Sequence, residues 1–145
     1  MAAIKKILLL ALIFFTFGVN SKTDLNSKIN EKTPETIFLR KVENAVRVHD
    51  ADQLLAFMEP NYKRSQHDEF LAGNTEQFLN EFFCSEIIFY EITEVSLIKY
   101  SLMKSSKTDY EVVFFLKSQK TEVLCTFFMT KNLNTTIFSI YSAVG

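Results

Sequence analysis

The stretch DYEVVFFLKSQKTEVLCTFFMT, residues 109–130, decides the fold. Its side chains alternate. Tyr110, Val112, Phe114 and Leu116 fall on one side, and Glu111, Val113, Phe115 and Lys117 on the other. Beyond the polar link Ser118-Gln119-Lys120, Val123, Cys125, Phe127 and Met129 make an unbroken apolar side. Glu122, Leu124, Thr126, Phe128 and Thr130 stand opposite. A period of two, rich in β-branched and aromatic residues, marks strands over 109–118 and 121–130. So short a polar link joins antiparallel neighbours.

The same pattern extends both ways. Lys131 to Thr135 supplies a turn, and a fourth strand is expected over 136–144, with Phe138, Ile140 and Val144 on one side and Tyr141 opposite. Upstream, Lys104-Ser105-Ser106-Lys107 links back to a long first strand over 87–103, where Tyr90, Ile92 and Glu94 share one parity and Glu91 takes the other. The apolar sides of the second and third strands should meet the rest of the fold. Their other sides keep Val113, Phe115, Leu124 and Phe128, which is too apolar for a solvated sheet face. These four residues are therefore expected to lie in an interface with a second copy, making a homodimer through the outer sheet face.

Before Ser85 the period becomes helical. Thr33 followed by Pro34 is a hydroxyl N-cap before proline at the first helical position. Phe38, Val42, Ala45, Val46 and His49 then repeat at helical spacing, opposite Glu35, Arg40, Glu43 and Arg47, and predict a helix over 34–48. Asp50 caps a second helix over 51–58, which Pro60 stops. A short turn of helix carries Phe70 and Leu71 and ends at Gly73. Asn74 caps a last helix over 75–84, with Phe78, Leu79, Phe82 and Phe83 apolar.

The first 21 residues read as a secretory signal peptide: Lys5 and Lys6, then an apolar run from Ile7 to Phe17, then Val19-Asn20-Ser21 at a cleavage position. The run is shorter than the ~20 residues a spanning helix needs, so no stable membrane anchor is expected after cleavage. The chain is expected to be exported, periplasmic or secreted, and so short a leader fits a bacterium. Residues 22–33 look like a flexible polar arm, and 34–145 like one domain.

Composition excludes several classes. With 48% hydrophobic residues, 15 Phe, three Gly and two Pro, the chain is neither disordered nor collagen-like. Lys and Arg number 16 against 17 Asp and Glu, a net charge of −1, without a basic stripe, so nucleic acid is not an expected partner. Cys84 and Cys125 lack CxxC spacing; two buried thiols and a disulfide are both open readings. The two histidines share no helical i,i+4 spacing, and there is no Gly-rich phosphate loop or G-x-S-x-G elbow. No metal and no cofactor are expected.

The segment Ala45-Val46-Arg47-Val48-His49-Asp50-Ala51-Asp52-Gln53-Leu54-Leu55 joins an apolar helix, an Asp-containing turn and a Leu pair. Together with Asn61-Tyr62-Lys63 and the strand order, it resembles the nuclear-transport-factor-2-like superfamily, which includes ketosteroid isomerase and polyketide cyclases. The resemblance implies an α+β fold: three N-terminal helices packed on a curved antiparallel sheet of about four strands, cone-shaped. A ligand would sit in the cone, against Tyr62, Tyr110, Phe114 and Phe127. That lining offers almost no ionisable group for acid–base work. A non-catalytic domain binding a small apolar ligand or a protein partner is the first reading. The alternative is an isomerase, dehydratase or cyclase using His49 with a nearby carboxylate or tyrosine. His67 and Asp68, as sequence neighbours on a helix, are expected to point apart and be solvated.

Overall fold

A computed structural model describes residues 32–83, 87–103 and 108–145. The expected leader, nearly all of the expected arm, and Cys84 lie outside the described residues. Helix α1 spans Pro34–Arg47, α2 Ala51–Ala56, α3 Pro60–Lys63 and α4 Thr75–Phe82. A π-helical turn, Arg64–Phe70, continues α3, and a 3-10 turn, Phe89–Glu91, precedes the sheet. Strands β1 (Ile92–Leu102), β2 (Asp109–Ser118), β3 (Glu122–Lys131) and β4 (Phe138–Val144) form one antiparallel sheet in the order β1-β2-β3-β4. The fold is α+β.

Caps set the helix starts where the sequence placed them. The Thr33 hydroxyl accepts from the Thr36 amide, Asp50 from Gln53 and Asn74 from Gln77. Helix α1 ends in a left-handed residue, His49, at φ 57°. The Asp50 amide reaches back to the Ala45 carbonyl and the His49 amide to Val46, which satisfies the last turn of the helix.

The first strand starts later than its alternation suggested. Ile87 and Phe89 are buried and Ile88 and Tyr90 exposed, so the alternation is present. What is missing is a partner. Strand β2 turns away at Ser118, which lies opposite Ile92; among the described residues no strand pairs with those before it, and the Phe89 amide donates to Asn80 Oδ1. Phe89 instead stacks on Phe83, ring centroids 5.4 Å apart.

Register irregularities correct two further expectations. One lies between Ile92 and Glu94, so Ile92 is buried while Glu94 joins the outer face beside Lys117. Another, between Ile140 and Ser142, carries Val144 to the outer face opposite Thr126. A bulge adds one residue to a strand and reverses the faces beyond it.

Both sheet edges are partly covered. Glu59 donates its amide to the Ile140 carbonyl at 2.7 Å, and Ile140 donates to Phe57 at 2.8 Å, so the end of α2 covers the edge of β4. At the β1 edge, Arg47 donates to the Val95 carbonyl and His49 to the Ile92 carbonyl. Unpaired edges invite pairing with other chains, and these bonds remove part of that exposure.

Helix α1 also departs from its expected pattern at Glu43. The periodicity put Glu43 on the solvent side, yet it is buried. Arg40 and Arg47 fold over its carboxylate at 2.5 and 2.8 Å. A carboxylate is tolerated there because both of its oxygens are paired.

Candidate functional site

The inner face of the sheet meets the helices in an aromatic core. Phe127 lies 4.9 Å from Phe82, 5.0 Å from Phe114 and 5.7 Å from Phe83, centroid to centroid. Phe114 and Phe127 are both fully buried. The hollow bounded by Phe38, Leu39, Val42, Val112, Phe114, Phe127, Met129 and Ile140 has no room for a water molecule. These rings therefore pack against each other. Tyr62 lies elsewhere, half-buried with its ring 6.1 Å from Phe78. Burial, reinforced by Glu81, pushes its phenol pKa up.

Tyr110 is buried, and its hydroxyl donates to Glu35 Oε1 at 3.2 Å. Lys131 Nζ approaches the same oxygen at 3.6 Å and sits over the Phe138 ring. Burial and the Glu35 carboxylate push the Tyr110 phenol up to about 12. Burial acts to raise the Glu35 pKa, but its backbone amide, the Tyr110 and Thr33 hydroxyls and Lys131 outweigh it, and the net direction is down. A carboxylate lowered on folding stabilises the fold above its ordinary value of 4.5, and the effect is lost as pH falls below it. Glu35→Gln is therefore expected to cost up to about 1 kcal/mol at neutral pH and nothing in acid. Urea unfolding of both proteins across the pH range checks this.

His49 Nε2 is 2.8 Å from the Ile92 carbonyl. A carbonyl only accepts, so Nε2 donates. The ring lies edge-on to Phe89 and Tyr90. Among the described residues it has no hydrogen bond to a carboxylate or a tyrosine hydroxyl, the second group that an acid–base role needs.

His67 and Asp68 do not point apart. His67 Nδ1 lies 2.6 Å from Asp68 Oδ1, and Nε2 lies 3.0 Å from the Thr75 hydroxyl. The π-helical turn changes the angle between neighbours, and left-handed Ala72 and Gly73 bring Thr75 back to the ring. His67 is buried with its ring edge-on to Phe78, so the trio clasps the π-turn to the start of α4. His67→Ala is expected to cost about 1–3 kcal/mol, read as a lower urea midpoint.

Two apolar surfaces stand out among the described residues. The first is the outer sheet face. Phe115 lies directly opposite Leu124, Val113 opposite Thr126, and Phe128 opposite Glu111. Val144 extends this stripe, and the Tyr141 ring leans on Phe128 at 6.3 Å. Leu124 is 55% exposed and Val144 52%. Lys117 pairs with Glu122 at one end, and Thr130 donates to Asp109 at the other.

The second surface is a groove of about 450 Å³ between the start of α1, the end of α2 and the start of β4. Pro34, Ile37, Phe38, Phe57, Ile137 and Phe138 line it, with Ala56, Thr136 and Lys41. The sequence reading missed this groove. Its one visible signal was Ile37, an apolar residue off the buried stripe of α1. Among the described residues no three His, Cys, Asp or Glu side chains gather as metal ligands, and no helix is long and apolar enough to cross a membrane.

No protein-family model matches this chain. No curated protein matches it either.

Proposed function

We propose that this chain is an exported, non-catalytic binding domain whose working surface is the outer face of its sheet, where a second copy docks. One observation carries the reading. Phe115 and Leu124 stand directly opposite each other there, among Val113, Phe128 and Val144, on the side away from the helical core. Burying apolar surface of this kind stabilises by about 25 cal/mol per Å². Four strands of this length present roughly 20 by 30 Å, the scale of one side of a standard interface. Lys117 is paired with Glu122 at one end of the stripe, and Glu94, Lys99, Asp109 and Glu111 flank its apolar residues with charges of both signs that a second copy must meet.

The domain plan we assign is the nuclear-transport-factor-2-like one, with helices on a curved sheet. Helices followed by a four-strand antiparallel meander support it, as do bulges in β1 and β4 that bend strands. Export rests on the pattern Lys5-Lys6, Ile7 to Phe17 and Val19-Asn20-Ser21. The isomerase reading is not carried forward, because His49 is spent on the β1 edge.

Light scattering on the exported, purified chain tests the proposal. The expected mass at micromolar concentration is that of two copies. A single copy throughout the micromolar range refutes it.

A further inference from the structure

The groove beside α1 has a composition that the sheet face lacks. Its floor is aromatic: Phe38 lies edge-on to Phe57 at 5.2 Å and stacks on Phe138 at 5.5 Å. Its rims are aliphatic and open, with Ile37 51% and Ile137 63% exposed. Among the described residues Lys41 is the single charged one lining it. The acid on the same face of the helix start, Glu35, is turned to Tyr110 and Lys131 and does not line the groove. Among the described residues Lys41 has no ion-pair partner.

We propose that this groove binds a single-chain anionic amphiphile of the fatty-acid class. The alkyl chain lies along Phe38, Phe57 and Phe138 between the two isoleucines. The carboxylate pairs with the Lys41 ammonium at the groove's edge.

Three features select this ligand. The volume falls within the ~300–1,000 Å³ of small-molecule sites. The walls are more apolar than polar, with Thr136 and Lys41 the polar side chains among the described lining residues, so a polar body such as a sugar or nucleotide would replace only part of its hydration. A flexible alkyl chain loses nothing of that kind. The lone cation then decides the head group, because a cationic head is repelled and a neutral one gains no ion pair.

The site is separate from the sheet face. Ile137 immediately precedes β4, Phe138 opens it, and Val144, in the outer stripe, closes it. Amphiphile binding and self-association therefore succeed or fail independently.

The test is calorimetric titration of the full exported chain near neutral pH. The probes are dodecanoate, dodecyltrimethylammonium and dodecyl maltoside, each kept below its micelle-forming concentration. Dodecanoate is expected to bind most tightly. Lys41→Glu, on an exposed helix position, is expected to weaken dodecanoate roughly five- to tenfold and to strengthen the cationic probe. Ile137→Asp is expected to weaken both dodecanoate and the neutral probe. Leu124→Asp, on the sheet face, is expected to leave dodecanoate binding unchanged, which separates this site from the docking surface. Unchanged circular dichroism shows that each variant folds.

Equal affinity for the three probes, or no effect of Lys41→Glu, overturns the assignment of the head group. Absence of dodecanoate binding overturns the site. Binding only to vesicles of anionic phospholipid, with none to monomeric dodecanoate, also overturns it, since the groove would then be reading a lipid surface.

Discussion

Phe127→Ala is expected to destabilise the protein by about 3–5 kcal/mol, on the order of a third or more of a small domain's whole stability. Phe127 stands where α4 meets the centre of the sheet. Its ring touches Phe82, Phe83 and Phe114 at once, and it is fully buried. The surrounding rings belong to different elements, β2 and α4, so they cannot close the gap by a small shift. The lost transfer energy and the residual cavity therefore add. The adjacent residue is the control. Phe128 points to the other face of the same strand and is only partly buried in one copy. Phe128→Ala is expected to cost less than about 1 kcal/mol in a single folded copy. Urea unfolding, measured at a concentration where the chain is monomeric, reads both. Equal losses at 127 and 128 would mean that the two faces of β3 are equivalent, against the burial described above.

The second large effect concerns association. Phe115→Asp with Leu124→Asp is expected to weaken self-association at least a hundredfold. A two-fold interface repeats each patch on both copies, so the pair places four carboxylates in one contact. Each must lose water without gaining a partner, and the cost of an unpaired charge exceeds the hydrophobic gain it replaces. The monomer's thermal midpoint should fall only modestly, because the two carboxylates repel across the strand pair but both positions face away from the helical core. Sedimentation over a concentration series reads the first quantity and circular dichroism the second. The pair separates docking from folding, which single core substitutions cannot do.

The sequence made the middle of this sheet readable because alternation in β2 and β3 runs without a break. Tyr110 to Leu116 and Val123 to Met129 keep their faces from end to end. Three helix starts were equally plain, since Thr33, Asp50 and Asn74 carry their capping chemistry on the side chain, whereas Pro60, read as a stop, begins α3 with Glu59 as its cap. Bulges have no such mark. The irregularities near Glu94 and Tyr141 depend on how neighbouring strands meet, and they reversed the faces of Glu94 and Val144. A π-helical turn is equally silent in sequence, so the His67–Asp68 contact could not be read from helical spacing. Glu43 shows a third limit. Burial of a carboxylate requires two arginines from the same helix to reach it, and periodicity alone sorts a glutamate to solvent. The groove at α1 is assembled from three separate elements, so no single stretch of sequence displays it.

These limits bear on what the domain does. The inward faces of the sheet looked like a ligand cone in sequence, and Phe114 and Phe127 fill that space with ring contacts. Among the described residues the groove and the outer stripe gather exposed apolar side chains.

The most direct measurement places a photoreactive p-benzoylphenylalanine at Leu124, an exposed residue of the outer stripe, in the full chain. Light should convert it to a covalent species of twice the mass, and peptide mapping should locate the new bond within residues 113–128 of the other copy. Cross-links to the helical residues 34–82 instead, or a product of single-chain mass at concentrations well above micromolar, would contradict the account.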